Sequence, residues 1–285
     1  MANYWICSSY ANLRSVPAIG DDPAQQCTQL LFAEKVRLLK REGSWAFVEA
    51  LEQRQASSEG WHGYYGWLLW EHIRPVLCNV EDTLVVAALR AALHMDGTTH
   101  PLLLGTRLCG VKPIKEGWTI MLPDGRTGWI SANEVTASRR SHWREPLLQL
   151  GLSFLGSPYF WGGRSPYLVD LSGTGIDCSG FVNLLYRVYG LDLPRDAHDQ
   201  FLHCAPLSAA QLRPGDLVFT APFDRTRVDH VMLFFDGEIL LETTKMAGLA
   251  RTITFQEKLG VSRHALALGR SSPFCRVSFG QGSTN

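Results

Sequence analysis

Cys178 lies at the start of an apolar segment whose spacing is typical of a helix. The apolar residues recur at intervals of three and four, which places them on one helical face: Phe181, Leu184, Leu185 and Val188. Asp177 directly precedes the cysteine, and aspartate is a residue type that caps helix N-termini. The positive end of a helix dipole favours a thiolate, which is the nucleophilic form of cysteine. The segment predicts a reactive cysteine; the alternative is a buried cysteine that only packs.

His230 stands at the head of an apolar strand in a second segment that could take part in the same chemistry. A Pro-Gly-Asp turn at 214–216 leads into a short apolar strand, and a polar loop then precedes His230. The strand at 231–235 is followed by the turn Asp236-Gly237 and by another apolar strand from Ile239. A histidine beside a cysteine can take the thiol proton and so create the nucleophile. The two segments together favour a catalytic cysteine.

Five short blocks in the C-terminal half of the chain resemble the NlpC/P60 cysteine peptidases, which have a papain-like core. The blocks are Tyr159-Phe-Trp-Gly-Gly163, Asp177-Cys-Ser-Gly180, Leu193-Pro-Arg-Asp196 with Gln200, Pro214-Gly-Asp-Leu217 and His230-Val231. Their order makes the signal specific, whereas any one block alone would be weak. The resemblance implies hydrolysis of D-Glu-containing peptide bonds of bacterial cell-wall peptides, with Cys178 as nucleophile and His230 as base.

The resemblance places a third catalytic residue twelve positions after the histidine, at Glu242, where the family usually carries another histidine. A carboxylate there could accept the Nδ1–H of His230 and orient the ring. A two-residue turn at Asp236-Gly237 would put Thr243 opposite His230 and turn Glu242 to the other face. A longer turn or a bulge would bring Glu242 back to the face of His230. We predict Glu242, with Thr243 as the alternative; Glu242 could also be a solvated residue at a strand end.

The resemblance also implies how the substrate is held. The hydroxyl of Tyr159 and the backbone N–H of Cys178 would stabilise the tetrahedral intermediate. In members that trim short peptides, an acidic residue at the position of Asp196 helps to bind the free amine of an N-terminal L-Ala. Those members often have serine next, where this chain has Ala197. The remaining candidate substrate-binding residues are Asp177, Ser179, Arg195, Tyr64 and Glu34.

Composition narrows the class of protein. The 27 basic residues balance the 27 acidic ones, so no nucleic acid or other polyanion is an expected partner. No segment approaches the roughly 18 uninterrupted apolar residues that span a membrane, and the N-terminus lacks a signal-peptide pattern. The seven cysteines include no C-x-x-C pair, and the group His198, His203 and Cys204 has no spacing typical of metal ligands. We expect a cytoplasmic protein with reduced thiols and without metal or cofactor; its oligomeric state is not indicated.

The N-terminal half contains two copies of one pattern. Lys115-Glu-Gly-Trp118 echoes Arg41-Glu-Gly-Ser-Trp45, and Thr127-Gly-Trp-Ile130 echoes Tyr65-Gly-Trp-Leu68. The copies resemble bacterial SH3 domains, with Trp67 and Trp129 expected in the barrel cores. A polar excursion at 53–59 is expected between the strands of the first copy. The segment Thr83–Met95 has helical propensity, but its place at the head of the second copy favours strand, which we predict.

These observations predict an α+β protein in which a papain-like NlpC/P60 catalytic domain follows two small all-β SH3-like barrels. The expected boundaries are 1–76, 77–137 and 138–285, with a basic linker at 138–144 before a helix at 145–155. The predicted function is a cysteine endopeptidase that cleaves the γ-D-Glu–meso-diaminopimelate bond of peptidoglycan-derived peptides with a free N-terminal L-Ala. The alternatives are a Cys-His amidase or acyltransferase on the same fold and a non-catalytic cell-wall-binding protein.

Overall fold

A computed structural model describes residues 3–19, 25–137, 142–224 and 226–281 of the chain. They form two compact units: one is Met1–Ser138 with Trp161–Thr174, and the other is Arg139–Phe160 with Gly175–Asn285. The first four residues of the predicted basic linker lie outside the described residues. The division does not separate the two predicted barrels, so the three predicted domain boundaries stay predictions.

The first unit begins with a seven-stranded sheet whose spatial order is β3-β2-β6-β5-β4-β1-β7. The strands are β1 (Asn3–Ile6), β2 (Tyr10–Arg14), β3 (Gln26–Leu31), β4 (Lys35–Glu42), β5 (Trp45–Ser57), β6 (Gly60–Leu69) and β7 (Ile73–Pro75). A 3-10 turn at Trp70–His72 joins the last two. The polar excursion expected at 53–59 is instead strand as far as Ser57, because the side chain of Gln53 is buried and hydrogen-bonded.

The second sheet repeats the first strand for strand. Its members are β8 (Leu84–Val86), β9 (Arg90–Met95), β10 (Thr98–Leu103), β11 (Arg107–Ile114), β12 (Gly117–Met121), β13 (Thr127–Ser131) and β14 (Val135–Thr136). Their order, β10-β9-β13-β12-β11-β8-β14, is the order of the first sheet shifted by seven strands. The strand prediction for Thr83–Met95 is confirmed, as two strands separated by a bend. The shared topology agrees with two SH3-like domains.

The tryptophans of the two Gly-Trp pairs do not fill the cores, so that prediction is wrong. Trp129 on β13 is 40% exposed and stacks on His94, with ring centroids 4.1 Å apart. Trp67 on β6 is half-buried. Side chains alternate between the faces of a strand, and it is the following residues, Leu68 and Ile130, that are fully buried.

The segment Trp161–Thr174 packs on the first sheet. The Nη1 of Arg164 donates to Oε1 of Glu34 at 2.6 Å, and both side chains are buried. Gln29 on β3 accepts from the Arg164 backbone N–H at 3.0 Å and donates to the carbonyl of Gly173 at 2.8 Å, so it holds both ends of the segment. A buried ion pair and a buried amide therefore fix this stretch.

We expect the contribution of the Arg164–Glu34 ion pair to stability to be largest when only one partner is removed. Arg164→Met should lower the free energy of unfolding by roughly 3–5 kcal/mol, because it leaves the Glu34 carboxylate buried without its guanidinium. The double variant Arg164→Met/Glu34→Gln should recover much of that loss, since no buried charge then lacks a partner. Denaturant unfolding of the wild type, both single variants and the double variant measures the coupling; additive single effects would contradict it.

The second unit is a six-stranded sheet with helices. Its helices are α1 (Arg144–Leu152), α2 (Cys178–Val188), α3 (Ala197–His203), α4 (Phe255–Leu259) and α5 (Arg263–Ala267). Its strands are β15 (Ala205–Leu207), β16 (Leu217–Pro222), β17 (His230–Asp236), β18 (Ile239–Thr244), β19 (Leu249–Thr254) and β20 (Cys275–Gln281). The spatial order is β15-β20-β16-β17-β18-β19, and a 3-10 turn at Ala209–Gln211 precedes β16. The predicted helix at 145–155 is confirmed as α1, with an earlier end.

Close packing holds α2 in place. Every residue of this helix from Ser179 to Val188 is buried, and the rings of Phe181 and Phe154 meet edge to face at 5.5 Å. A Cβ on Gly151 of α1 would come within 3.1 Å of the Leu241 side chain, which would have to shift by a few tenths of an ångström, so α1 packs closely on the sheet. The first residue of α2, Cys178, is therefore fixed by the core. Across the described ranges we find no helix with the length and apolar character needed to cross a membrane.

Candidate active site

Cys178 is the first residue of α2, as the sequence predicts. Asp177 caps the helix: its Oδ1 accepts from the Gly180 backbone N–H at 2.6 Å. The N–H groups of a first helical turn have no partner within the helix, so that of Cys178 can serve another acceptor. Cys178 as a whole residue is only partly buried. The cysteine thus combines access with a rigid backbone.

Three of the candidate substrate-binding residues form a buried network below the helix start. Arg195 donates from Nη2 to Oδ2 of Asp177 at 2.7 Å and from Nη1 to the hydroxyl of Ser179 at 2.9 Å. Ser179 in turn donates to Oδ1 of Asp177 at 3.2 Å. These contacts give all three side chains a part in holding Cys178, and a role in binding substrate stays a prediction for them.

The thiol of Cys178 does not favour the thiolate, contrary to the expectation from the helix dipole. Burial, and then the negative charge of Asp177, raise its pKa to about 12, against the lowering effects of the Val231 backbone, Arg195 and the Ser179 backbone. A neutral thiol therefore precedes catalysis, and a base must remove its proton. The effect of the Val231 backbone on this pKa indicates that the start of β17 lies near the sulfur.

A bulge in the β17–β18 hairpin decides which side chain faces His230. Leu233 pairs with Leu241, whereas Asp236 pairs with Ile239, and the register shifts between Phe234 and Asp236. The bulge moves Glu242 to the face of His230, which is one of the two arrangements considered from the sequence. The His230 Nε2 to Glu242 Oε2 distance is 2.8 Å. Nδ1 is the atom that the sequence predicts for this contact, but the structure uses Nε2. Nδ1 is therefore left for another partner.

Thr243, the alternative partner of His230, lies on the opposite face of β18. Its side chain is fully buried, and its hydroxyl donates to the backbone carbonyl of Ile176 at 3.4 Å. Glu242 is also buried, with 1% of its surface exposed, so it is not a solvated residue at a strand end. The geometry favours Glu242 as the partner of His230, and its catalytic role belongs to the proposal below.

Glu242 is held by two cations as well as by His230. Arg251 on β19 donates from Nε and Nη2 to Oε1, at 3.0 and 2.8 Å. Lys258 on α4 lies 2.6 Å from Oε2. Burial raises the pKa of Glu242, but hydrogen bonds and charges from His230 and Lys258 outweigh it and bring that pKa down to about 2. Sequence reasoning missed both cations, although Arg251 follows from the register that pairs it with Glu242.

The lowered pKa of Glu242 predicts a loss of stability in acid. The folded state binds this proton less tightly than the unfolded chain, so the contribution is complete above about pH 4.5 and is lost as the pH falls through about 2. The difference corresponds to roughly 3 kcal/mol of unfolding free energy. Wild type should lose this amount between those pH values, and Glu242→Gln should not. Denaturant unfolding as a function of pH measures both; parallel curves would contradict the prediction. Glu145→Gln, on exposed α1 surface, controls for the loss of one carboxylate.

Tyr159 lies close enough to Cys178 for a charge on the sulfur to affect the pKa of its phenol. Burial raises the pKa of its phenol well above the usual value, and Asp177 and Cys178 add to the effect. The hydroxyl therefore stays protonated and can donate a hydrogen bond. Its backbone is fixed by a hydrogen bond to the Gly248 carbonyl at 2.8 Å and by a bridge to Ile176. The structure brings Tyr159 and Cys178 together, and oxyanion binding remains their predicted role.

The other candidate residues are distributed over both units. Asp196 is half-buried at the N-terminus of α3, without capping it by its side chain. Tyr64 and Glu34 belong to the first unit. Tyr64 packs against the core of the first sheet, and both oxygens of Glu34 are engaged, by Arg164 and by Gln53 Nε2 at 3.0 Å. These contacts assign Glu34 a structural part, and substrate binding stays a prediction for all three.

Comparison with known proteins agrees with this geometry. Residues 156–262 match the NlpC/P60 family. The chain is 28% identical over 240 residues to a γ-D-glutamyl-L-lysine dipeptidyl-peptidase of Bacillus subtilis, covering 81% of this chain and 77% of that protein. It is 27% identical over 228 residues to a protein of the same name from Bacillus cereus, covering 75% of this chain and 66% of that one.

The fold has a counterpart among solved structures. A crystal structure of an NlpC/P60 family protein from Bacillus cereus superposes with a TM-score of 0.77 and 22% identity, over 89% of this chain and 94% of that chain. That similarity extends the agreement beyond the peptidase segment to the two sheets that precede it. The chain therefore carries an NlpC/P60 domain at residues 156–262, within a fold that is shared with a solved NlpC/P60 family protein.

Proposed function

We propose that this enzyme hydrolyses the amide bond between γ-D-Glu and a diamino acid in peptidoglycan-derived peptides that begin with a free L-Ala. The observation that carries the proposal is the site of the second unit. Cys178 starts α2 against the backbone of Val231, and the adjacent His230 is hydrogen-bonded to the buried Glu242. A protonated thiol, a histidine beside it and an orienting carboxylate are the parts of a cysteine acyl-transfer site.

These positions support the following reaction. Nδ1 of His230 removes the thiol proton as Sγ of Cys178 attacks the carbonyl carbon of the γ-glutamyl amide. The Cys178 backbone N–H and the Tyr159 hydroxyl stabilise the oxyanion, and Glu242 stabilises the imidazolium that forms. His230 then protonates the departing amine of the diamino acid, and the acyl group stays on sulfur as a thioester. Water, deprotonated by His230, hydrolyses the thioester and releases the dipeptide.

The proposed substrate rests on two further arguments. The related Bacillus proteins are named for a γ-D-glutamyl-L-lysine bond and for dipeptidyl release, which requires a peptide with a free N-terminus. Asp196 follows the nucleophile helix in sequence, and a carboxylate there can select an N-terminal ammonium, since internal peptides lack that charge. A cytoplasmic enzyme acting on released peptides fits this preference. meso-Diaminopimelate is the diamino acid we propose from the family resemblance, and L-Lys is the alternative that the relatives' names supply.

Product analysis with two synthetic tripeptides tests the proposal. Incubation with L-Ala-γ-D-Glu-meso-diaminopimelate and with L-Ala-γ-D-Glu-L-Lys should release the free diamino acid and L-Ala-D-Glu. An amidase would release ammonia from an amidated peptide, and an acyltransferase would need an added acceptor amine. Failure to hydrolyse both tripeptides would overturn the proposed function, and one of those two activities would then identify the alternative.

A further inference from the structure

We propose that Lys258 and Arg251 are positioning residues of the catalytic site, which fix Glu242 and balance its charge so that His230 stays neutral until it takes the thiol proton. The inference is tested in two ways. The kinetic test rests on the proposed function, whereas the NMR test rests on the structure alone. Neither residue belongs to a block that resembles the family, and both act through Glu242.

The contacts account for the orientation of the carboxylate. Each oxygen of Glu242 has two donors: Oε1 receives Nε and Nη2 of Arg251, and Oε2 receives Lys258 Nζ and His230 Nε2. The carboxylate cannot rotate without breaking bonds on both oxygens at once. A buried carboxylate with a single partner would be far less constrained. Oε2 is thereby held in the position that receives the imidazole.

The charges account for the protonation state. A buried carboxylate beside an imidazole favours the imidazolium, which has no lone pair left to accept a thiol proton. Two cations on the same carboxylate oppose that effect and leave the group of Glu242, Arg251 and Lys258 with a formal charge of +1. Other ionisable groups at the site include Tyr159, Cys178 on α2 with its Asp177–Arg195 pair and, near Arg251, Glu257 on α4. The two cations therefore offset the charge of Glu242 next to His230.

Local structure fixes both cations. Arg251 on β19 pairs directly with Glu242 on β18. Lys258 is carried by α4, which starts immediately after β19 with a capping box between Thr254 and Glu257. Phe255 and Leu259 anchor this short helix in the core, at 0% exposure each. Lys258 thus reaches Oε2 from a helix whose start is capped and whose apolar face is buried in the core.

The experiment removes one charged side chain at a time and measures kcat/KM as a function of pH. In Lys258→Met the acid-side fall of kcat/KM should move to higher pH by about one unit, because loss of a neighbouring cation makes the imidazolium easier to form. Glu242→Gln should move it the other way. Lys258→Arg should restore the wild-type profile. Lys245→Met, which removes an exposed lysine beyond the end of β18, is the matched control and should leave the profile unchanged.

A second readout does not depend on any substrate. The Cε1–H resonance of His230, assigned by its absence in His230→Ala, should titrate at higher pH in Lys258→Met than in wild type. A shift confined to Lys258→Met and absent in Lys245→Met supports the proposal. An unmoved resonance and an unmoved acid limit in Lys258→Met would overturn it, even if the variant is slow. If wild type cleaves neither tripeptide, the proposed function fails while the titration still decides this inference.

Discussion

Cys178→Ala and His230→Ala are each expected to lower kcat for the tripeptides by about 10³ or more while leaving the fold intact. In the proposed mechanism the thiol forms the acyl-enzyme. Its pKa of about 12 means that little thiolate exists without the base, so the two residues are expected to act as one unit. The double variant should be hardly worse than either single one. Steady-state kinetics with unfolding curves for each variant measure the effect.

Cys204 offers a matched control for the loss of a thiol. It ends α3 in the same unit, and its pKa is raised to about 12 by burial and Asp216. Cys204→Ala should nonetheless keep near-wild-type activity, since Cys204 is not part of the proposed group of Cys178, His230 and Glu242. If folded Cys178→Ala kept a tenth of the wild-type kcat, the cysteine-peptidase mechanism would be wrong.

N-acetylation of the substrate is expected to reduce kcat/KM by roughly ten- to more than a hundredfold. Acetylation removes the ammonium charge that Asp196 is proposed to bind, and the loss of a hydrogen bond to a charged group typically costs about 1.5–3 kcal/mol. In Asp196→Asn, kcat/KM for the free peptide should fall. The ratio of kcat/KM between the free and the acetylated peptide should therefore shrink. The comparison requires kcat/KM for both peptides with both enzymes.

Asp192→Asn is the control for this comparison, because Asp192 is an exposed aspartate in the same turn, four residues earlier. It should preserve the full discrimination against the acetylated peptide. Equal rates of wild type on the two peptides would refute a selector at Asp196. Such a result would favour an enzyme that acts on the intact cell wall.

The elements that carry the site could be predicted because their local signals are strong. The capped start of α2, the strand after His230 and the repeated strand order each follow from short-range pattern and turn chemistry. The choice between Glu242 and Thr243 needed one fact that residue types do not supply. That fact is the bulge before Asp236, and a one-residue shift in register reverses every side chain of a strand.

Other features depend on tertiary contacts and escaped sequence reasoning. The helix dipole at Cys178 is outweighed by burial and by Asp177, whose effects depend on the surroundings of the sulfur. Lys258 reaches Glu242 from a five-residue helix that follows the next strand. Arg164 lies far along the chain from Glu34, yet the two form a buried ion pair. Such pairings join residues without any spacing that a pattern could reveal.

The most direct test of the account is to trap the acyl-enzyme. Wild type mixed with L-Ala-γ-D-Glu-L-Lys or its meso-diaminopimelate analogue, quenched in acid within one turnover and digested, should yield a peptide in which Cys178 carries an L-Ala-γ-D-Glu thioester. The adduct should be absent from Cys178→Ala. Release of the diamino acid by wild type with no adduct on Cys178, at a rate that Cys178→Ala reproduces, would contradict the account.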